Sequence, residues 1–303
     1  MKQINIGNVT ASAVSLGCMR MASLDAKRVD AIMGMALECG INFFDHADIY
    51  GDGHSEELFG DYLKRSHVKR EEILVQTKCA IHDGQYDFSK EHILKSVEGS
   101  LARLGVEYVD FLLLHRPDTL MEPEEVAEAF DILQSSGKVR SFGVSNHNAM
   151  QIELLKTAVN QPLVANQLQF SLTEAGMITS GMNVNMKNPD SQMHDGGLLE
   201  YSRIHKMTIQ AWSPFQYGFF RGTYIDHPDF PELNRALAEL GDAYGLSKTG
   251  AATAWILRHP ARMQMIAGTM NPAHLEDICR AGDVTLTRSE WYEIYRAAGH
   301  CLP

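Results

Sequence analysis

The feature that most constrains this chain is a rhythm of eight short apolar or β-branched runs. They fall at residues 14–16, 42–44, 73–75, 109–114, 139–144, 163–165, 208–211 and 265–267, separated by longer stretches of helical period. Short apolar runs of this kind read as strands covered on both faces, the habit of parallel sheets. In DAKRVDAIMGMALECG, residues Val29, Ile32, Met33, Ala36 and Leu37 share one helical face. In SKEHILKSVEGSLARLG, residues Ile93, Leu94, Val97, Leu101 and Leu104 do the same, with Ser89 as a capping residue and Gly105 as a stop. EEVAEAFDILQSSG is a third such stretch. Eight strands alternating with helices over 303 residues predict a closed (β/α)8 TIM barrel. It is expected to occupy 1–303 as one domain, in preference to an open doubly wound sheet. Ahead of it, QINIGNVTASAVS carries two short alternating runs around Gly7-Asn8 and predicts a hairpin that closes the barrel bottom.

Composition narrows the partners. The formal charge is -11 and no long basic run appears, so nucleic-acid binding has no electrostatic support. No stretch approaches 18 uninterrupted apolar residues, so no membrane span is expected. Cys18, Cys39, Cys79, Cys279 and Cys301 are odd in number, widely spaced and without a CxxC pair. They read as reduced thiols in a cytoplasmic protein. The N-terminus has no charged start ahead of a long apolar run, so no signal peptide is expected, and the Asn8-Val9-Thr10 glycosylation pattern carries no meaning without one.

In a barrel of this kind, chemistry sits at the C-terminal ends of the strands. Asp45 ends the second run, Lys78 follows the third in ILVQTK, and His115 ends the fourth in VDFLLLH; Tyr50 lies just beyond Asp45. A lysine ending an apolar strand is costly to bury alone, and Asp45 is its nearest carboxylate in this reading. The surrounding stretch INFFDHADIYGDGHSEE also offers Asp45, His46, Asp48, His54 and Glu56 as metal ligands, which would suit a metal-dependent barrel hydrolase. Three of these crowd one loop, and no histidine ends the last four strands, so no metal is expected.

The segments FFDHADIYG, LVQTK, LARLGVEYVDFLLLHRP, GKVRSFGVSN and AWSP, in this order, resemble the aldo-keto reductase family, in its bacterial NADP-dependent form. The resemblance runs from the hairpin to about residue 280. It implies hydride transfer from a nicotinamide cofactor to a small-molecule aldehyde or ketone. Tyr50 would be the general acid, Lys78 would lower its pKa, Asp45 would hold Lys78, and His115 would orient the carbonyl. No GxGxxG or GxxxxGK[ST] motif is present, and the family binds its cofactor without either.

By the same resemblance, Ser145, Asn146 and Gln167 would bind the carboxamide and Trp212 would stack on the nicotinamide. Ser213, Phe215 and Gln216 would cover the pyrophosphate, with Gly218 giving backbone freedom. Gly268, Thr269, His274 and Asp277 would meet the adenosine phosphate. Many relatives carry Lys or Arg where Gly268 and His274 stand, so NADP is expected with NAD left open. A cofactor-sensing regulatory subunit of potassium-channel type is the alternative on this fold, and a chain beginning almost at the hairpin favours a stand-alone reductase. The substrate depends on loop 171–197, on the stretch after Trp212 and on SEWYEIYRAAGHCLP, where Trp291, Tyr292 and Tyr295 are expected to pack a final helix. Ser55 is expected to cap the helix begun by SEELFGDYL. His46 stands where many relatives have a small Ser or Thr, and it is expected to touch the pocket. Oligomeric state is left open.

Overall fold

Strands buried on both faces and joined by helices have one way to lose their edges, which is to close. The computed structural model, which describes residues 1–302, shows that closure. The strands are β1 (Gln3–Ile6), β2 (Val9–Ser12), β3 (Val14–Gly17), β4 (Phe43–Asp45), β5 (Leu74–Cys79), β6 (Ile81–His82), β7 (Gln85–Tyr86), β8 (Val109–Leu114), β9 (Val139–Ser145), β10 (Leu163–Gln169), β11 (Thr208–Trp212), β12 (Gln216–Tyr217), β13 (Gly222–Thr223) and β14 (Met263–Ala267). The α-helices are α1 (Ala26–Glu38), α2 (His54–Arg65), α3 (Lys90–Leu104), α4 (Pro123–Ser135), α5 (Ala149–Leu155), α6 (Gly176–Met182), α7 (Leu198–Ile204), α8 (Pro231–Tyr244), α9 (Lys248–Leu257), α10 (Pro272–Arg280) and α11 (Arg288–Ala297). The ring β3-β4-β5-β8-β9-β10-β11-β14 closes back on β3 with every pairing parallel. All eight apolar runs became these eight strands. Among the described residues no helix is long and apolar enough to cross a membrane.

The helices bury the faces that their periodicity marks. In α1, Val29, Ile32, Met33 and Ala36 are buried; Leu37, at the margin of the stripe, is half-buried. In α3, Ile93, Val97, Leu101 and Leu104 are buried, Ser89 accepts from the His92 amide, and Gly105 ends the helix in the left-handed region at φ 65°. Ser55 is not the cap of α2: that place falls to Gly53, at φ 90°, with no side-chain cap. Ser55 lies inside the first turn, fully buried, and donates its hydroxyl to the Cys18 carbonyl.

The hairpin β1–β2 covers the N-terminal end of the barrel. Ala13 N donates to Lys2 O at 2.9 Å, and Ser12 N donates to Asn42 Oδ1 at 2.8 Å, tying the hairpin to the entry of β4. Ile6 and Ala11 join Phe43, Phe111, Leu113 and Ala165 in an apolar plug, with the Phe43 and Phe111 rings 5.3 Å apart.

Above the plug the interior turns polar. Gln76 on β5 and Gln210 on β11 exchange amide hydrogen bonds at 2.9 and 3.0 Å. These strands are four places apart in a ring of eight, so the bonds cross the barrel. Gln210 also donates to Gln264 on β14 at 2.9 Å, and Gln167 on β10 donates to Gln210 at 3.2 Å. Side chains alternate between the two faces of a strand. Gln76 and Lys78 therefore face inward on β5, as Phe43 and Asp45 do on β4.

That alternation overturns the expectation for His46. The residue after Asp45 points outward, and His46 lies fully buried against the Phe59 ring of α2 at 4.6 Å. It does not touch the cleft. Both ring nitrogens lack hydrogen-bond partners, and burial, with the Lys78 charge, pushes its pKa down to about 3.

The connection 171–197 folds into α6 and a 3-10 turn at Pro189–Ser191. It does not border the large cleft at the barrel mouth, though Glu174, Met177, Ser180 and His194 help to wall a separate cavity of about 240 Å³. Ser171 Oγ donates to Gln216 O at 2.8 Å, the Gly218 amide donates to Glu174 Oε1 at 2.7 Å, and Thr179 meets the Tyr295 hydroxyl at 2.9 Å. Trp291 stacks on Trp255 at 4.8 Å and on Tyr295 at 5.7 Å, so the final helix packs, as its aromatics suggest.

Candidate active site

At the C-terminal rim, β4, β5 and β8 bring four side chains together. Lys78 is fully buried, and its ammonium has three acceptors for its three protons. It lies 2.8 Å from the Asp45 carboxylate, 2.8 Å from the His46 carbonyl and 3.0 Å from the Tyr50 hydroxyl. Burial pushes the lysine pKa down, but Asp45 and the Tyr50 oxygen outweigh it, and the net shift is up. The ammonium therefore stays charged. Asp45 is held in turn from below, by the amides of Gln76 at 2.6 Å and Gln167 at 3.0 Å.

Tyr50 behaves differently from the expectation that Lys78 lowers its pKa. Burial of the phenol outweighs the lysine charge, and the net shift is upward from 10. Lys78 still acts in the lowering direction, by charge and by hydrogen bond. The His115 ring stands edge-on to Tyr50, with centroids 6.0 Å apart. Burial, then the charges of Lys78 and Arg116, hold His115 well below 6.5, so its imidazole is neutral at pH 7. Its Nδ1 is buried without a partner.

Asp45, Tyr50 and His115 open onto a cleft of about 1090 Å³, and Lys78 lies behind Tyr50. All eleven residues expected to hold a cofactor border the same cleft. Ser145 donates to Gln167 O at 2.9 Å, and Asn146 Nδ2 donates to Ser145 Oγ at 2.8 Å. Asn146 has φ 60°, a left-handed conformation that Asn tolerates better than most residues. Its Oδ1 accepts from the Trp212 indole at 3.0 Å. Ser213 is bonded to Gln216 at 3.0 Å at the foot of the β12–β13 hairpin. That hairpin lays Phe220 over Trp212 at 6.0 Å and sets Phe219 edge-on at 6.4 Å. Gly268, Thr269, His274 and Asp277 border the cleft where β14 leads into α10.

Sequence reasoning missed several lining residues. Arg20, from the turn after β3, donates to Gly268 O at 2.8 Å and brings a cation to the end of the cleft where the usual lysine or arginine is absent. Arg116, Phe219 and Phe220 also line it. Arg116 stands in the segment LARLGVEYVDFLLLHRP and the phenylalanines in the stretch after Trp212, so position was available as a signal. The glutamine layer left a signal too: Gln76 and Gln210 each stand two residues before a rim residue, Lys78 and Trp212.

The metal-ligand candidates of the 41–57 stretch do not gather. Glu56 is fully buried, accepting from Thr77 at 2.6 Å and Arg103 at 2.8 Å, and His54 is bonded to Glu57 at 3.0 Å. Asp48 is pushed up to about 7 by burial and by Glu56. Among the described residues one His/Asp trio brings its ligand atoms within 4.8 Å of one another: His82, Asp87 and His92, around the β6–β7 hairpin.

Comparison with known proteins identifies the family and the fold. The model of the Aldo/keto reductase family matches residues 13–298. A 6-dehydroglucose reductase of Agrobacterium fabrum is 35% identical over 288 residues, covering 91% of this chain and 90% of the relative. An oxidoreductase of Bacillus subtilis, YcsN, is 36% identical over 287 residues, covering 90% and 89%. In fold, the chain matches an aldo-keto reductase from Klebsiella pneumoniae solved with NADPH, at a TM-score of 0.78 and 24% identity, covering 97% of this chain and 94% of that one.

Proposed function

The chain belongs to the aldo/keto reductase family of carbonyl-reducing oxidoreductases, and from that premise we propose that its cleft holds NADPH beside an aldehyde or ketone, with Tyr50 as the proton donor. The observation that carries this reading is the Lys78 ammonium, fully buried and shared between Asp45 and the Tyr50 hydroxyl.

The residues of the cleft fit a nicotinamide dinucleotide. The amides of Asn146 and Gln167 and the Ser145 hydroxyl form a cluster suited to a carboxamide, beside the flat face of Trp212. Arg20, Thr269 and His274 supply cationic and polar groups for phosphate at the other end, which supports NADP, with NAD accepted more weakly. When bound, the reduced nicotinamide supplies a hydride to the carbonyl carbon.

Tyr50 supplies the matching proton to the carbonyl oxygen, so that one hydride and one proton make the alcohol. A phenol whose pKa is raised is fully protonated at neutral pH and ready to give that proton. As the phenolate forms, the 3.0 Å bond and the charge of Lys78 stabilise it. Asp45 balances the lysine, and the Gln76 and Gln167 amides fix the carboxylate. His115, being neutral, offers the carbonyl oxygen a hydrogen bond without competing for the proton. Phe219 and Phe220 line the cleft beside Trp212, with their outer faces exposed.

The test is steady-state oxidation of NADPH and of NADH with a panel of aldehydes and ketones, alongside cofactor binding followed by Trp212 fluorescence. Turnover with a preference for NADPH is expected. Tight cofactor binding with no carbonyl compound turned over would overturn this reading and favour a cofactor-sensing subunit.

A further inference from the structure

The cleft contains a cation that the mechanism above does not use. Arg116 follows His115 directly at the end of β8 and borders the same cleft. The other partly buried arginines each have a partner: Arg70 lies 2.6 Å from Asp110, Arg103 lies 2.8 Å from Glu56, and Arg258 donates to the Leu286 carbonyl. Among the described residues no carboxylate lies within ion-pair distance of Arg116. Its guanidinium stands 5.8 Å from the Trp212 ring, a weak cation–π contact.

The aspartates and the other arginine that border the cleft are already engaged. Asp45 is committed to Lys78, Asp226 to Lys248, Asp277 to the Ser247 hydroxyl, and Arg20 to the Gly268 carbonyl. The cleft wall also includes the apolar Ile49 and Ile81 and the ring of Tyr86. A half-buried guanidinium without a counter-ion leaves donors that a planar anion satisfies through two parallel N–H···O bonds. The position is close to the chemistry, since the Arg116 charge is one of those depressing the His115 imidazole. The chain as a whole is strongly acidic, at -11, and its long-range field repels anions. That field is screened beyond about 8–10 Å at ordinary salt, so a local cation decides whether an anion is held in the cleft.

We propose that Arg116 is an anion subsite of the substrate pocket, and that the preferred substrates are carbonyl compounds carrying a carboxylate or phosphate a few bonds from the reacting carbon. This rests on the cleft being the carbonyl-reducing site proposed above.

The experiment compares two matched pairs, 4-oxobutanoate with butanal and glyceraldehyde 3-phosphate with glyceraldehyde, in the wild type, Arg116→Gln and Arg116→Lys. The ratio of kcat/KM for the anionic over the neutral member is expected to fall at least tenfold in Arg116→Gln in one pair or both, and to recover in part in Arg116→Lys. The pair that responds identifies carboxylate or phosphate as the anion. An equal loss on both members of both pairs overturns the proposal, because it would make Arg116 a support for Trp212 instead. A calorimetric arm reads binding without turnover: benzoate against benzamide, on the protein with NADP⁺ added. Benzoate is expected to bind more tightly than benzamide, and at least tenfold more weakly in Arg116→Gln than in the wild type. No benzoate preference in the wild type overturns the subsite. Arg116-dependent benzoate binding with no aldehyde reduced by any variant sinks the carbonyl-reducing reading and leaves the subsite standing.

Discussion

The two ends of the barrel are built from the same eight strands and meet opposite demands. At the closed end, Phe43, Phe111 and Leu113 meet the hairpin in an apolar plug. At the open end, the same alternation places Asp45 two residues beyond Phe43 and Lys78 two residues beyond Gln76. Between them the four glutamines carry hydrogen bonds from β5 across to β11 and on to β14. The plug contributes area removed from water, with no direction to it. The rim buries a charged pair, which adds little net stability but is costly to break from one side. The ends therefore differ in what a substitution removes: packing at one, electrostatic order at the other.

The largest effect is expected from Asp45→Asn. It leaves the Lys78 ammonium fully buried without its counter-ion, a change worth about 3–5 kcal/mol. Urea unfolding should read that loss, and carbonyl reduction should fall by about 100-fold or more together with it, on the scale of a lost proton-transfer contribution. Phe111→Ala, at the plug, should cost a similar ~3–5 kcal/mol through the cavity alone. There, kcat of the folded fraction should stay within a few-fold of the wild type. A kcat loss larger than that from Asp45→Asn would break the division between the two ends.

Gln210→Leu should fall between the extremes, at about 1–3 kcal/mol, because it strands the amides of Gln76 and Gln264. Smallest is Asp48→Asn, behind the rim. Asp48 has a folded pKa of about 7, above the carboxylate value of 3.8. The folded state then holds a proton that the unfolded state has lost, so this group's penalty grows as pH rises from about 4 to 7. Removing the charge should stabilise by roughly 1–2 kcal/mol at pH 8 and by almost nothing at pH 4, after allowance for partial exposure. Thermal melts across that range check the sign, and a gain confined to low pH would contradict it.

How much of this was legible follows from the same contrast. The barrel strands are double-sided and apolar, and such runs show in any sequence. The rim acids and bases show because a lysine or histidine ending such a run is energetically odd. His46 misled because it neighbours Asp45 in sequence yet lies on the other face of the chain, and Ser55 misled because the cap of α2 falls two residues earlier, on a left-handed Gly53. The glutamine layer was hidden because each member is a single polar residue inside an apolar strand, and its partners come from strands remote in the chain. Arg20 and the two-residue strands of the β12–β13 hairpin depend on contacts with no local pattern at all. Loop 171–197 looks like a wall of the substrate cleft from its length and polarity, whereas it stands outside that cleft and its hydrogen bonds brace the hairpin.

The central claim is that the buried lysine serves the Tyr50 hydroxyl and that this hydroxyl carries the proton. The most direct measurement is single-turnover oxidation of bound NADPH by an aldehyde in Tyr50→Phe, with cofactor affinity and melting temperature measured on the same sample. The rate should fall by about 10²–10⁴-fold, with cofactor affinity within a few-fold of the wild type and a stability loss of about 1–3 kcal/mol from the Lys78 proton left without its acceptor. A variant that binds NADPH and reduces the aldehyde at a near-normal rate would contradict the account.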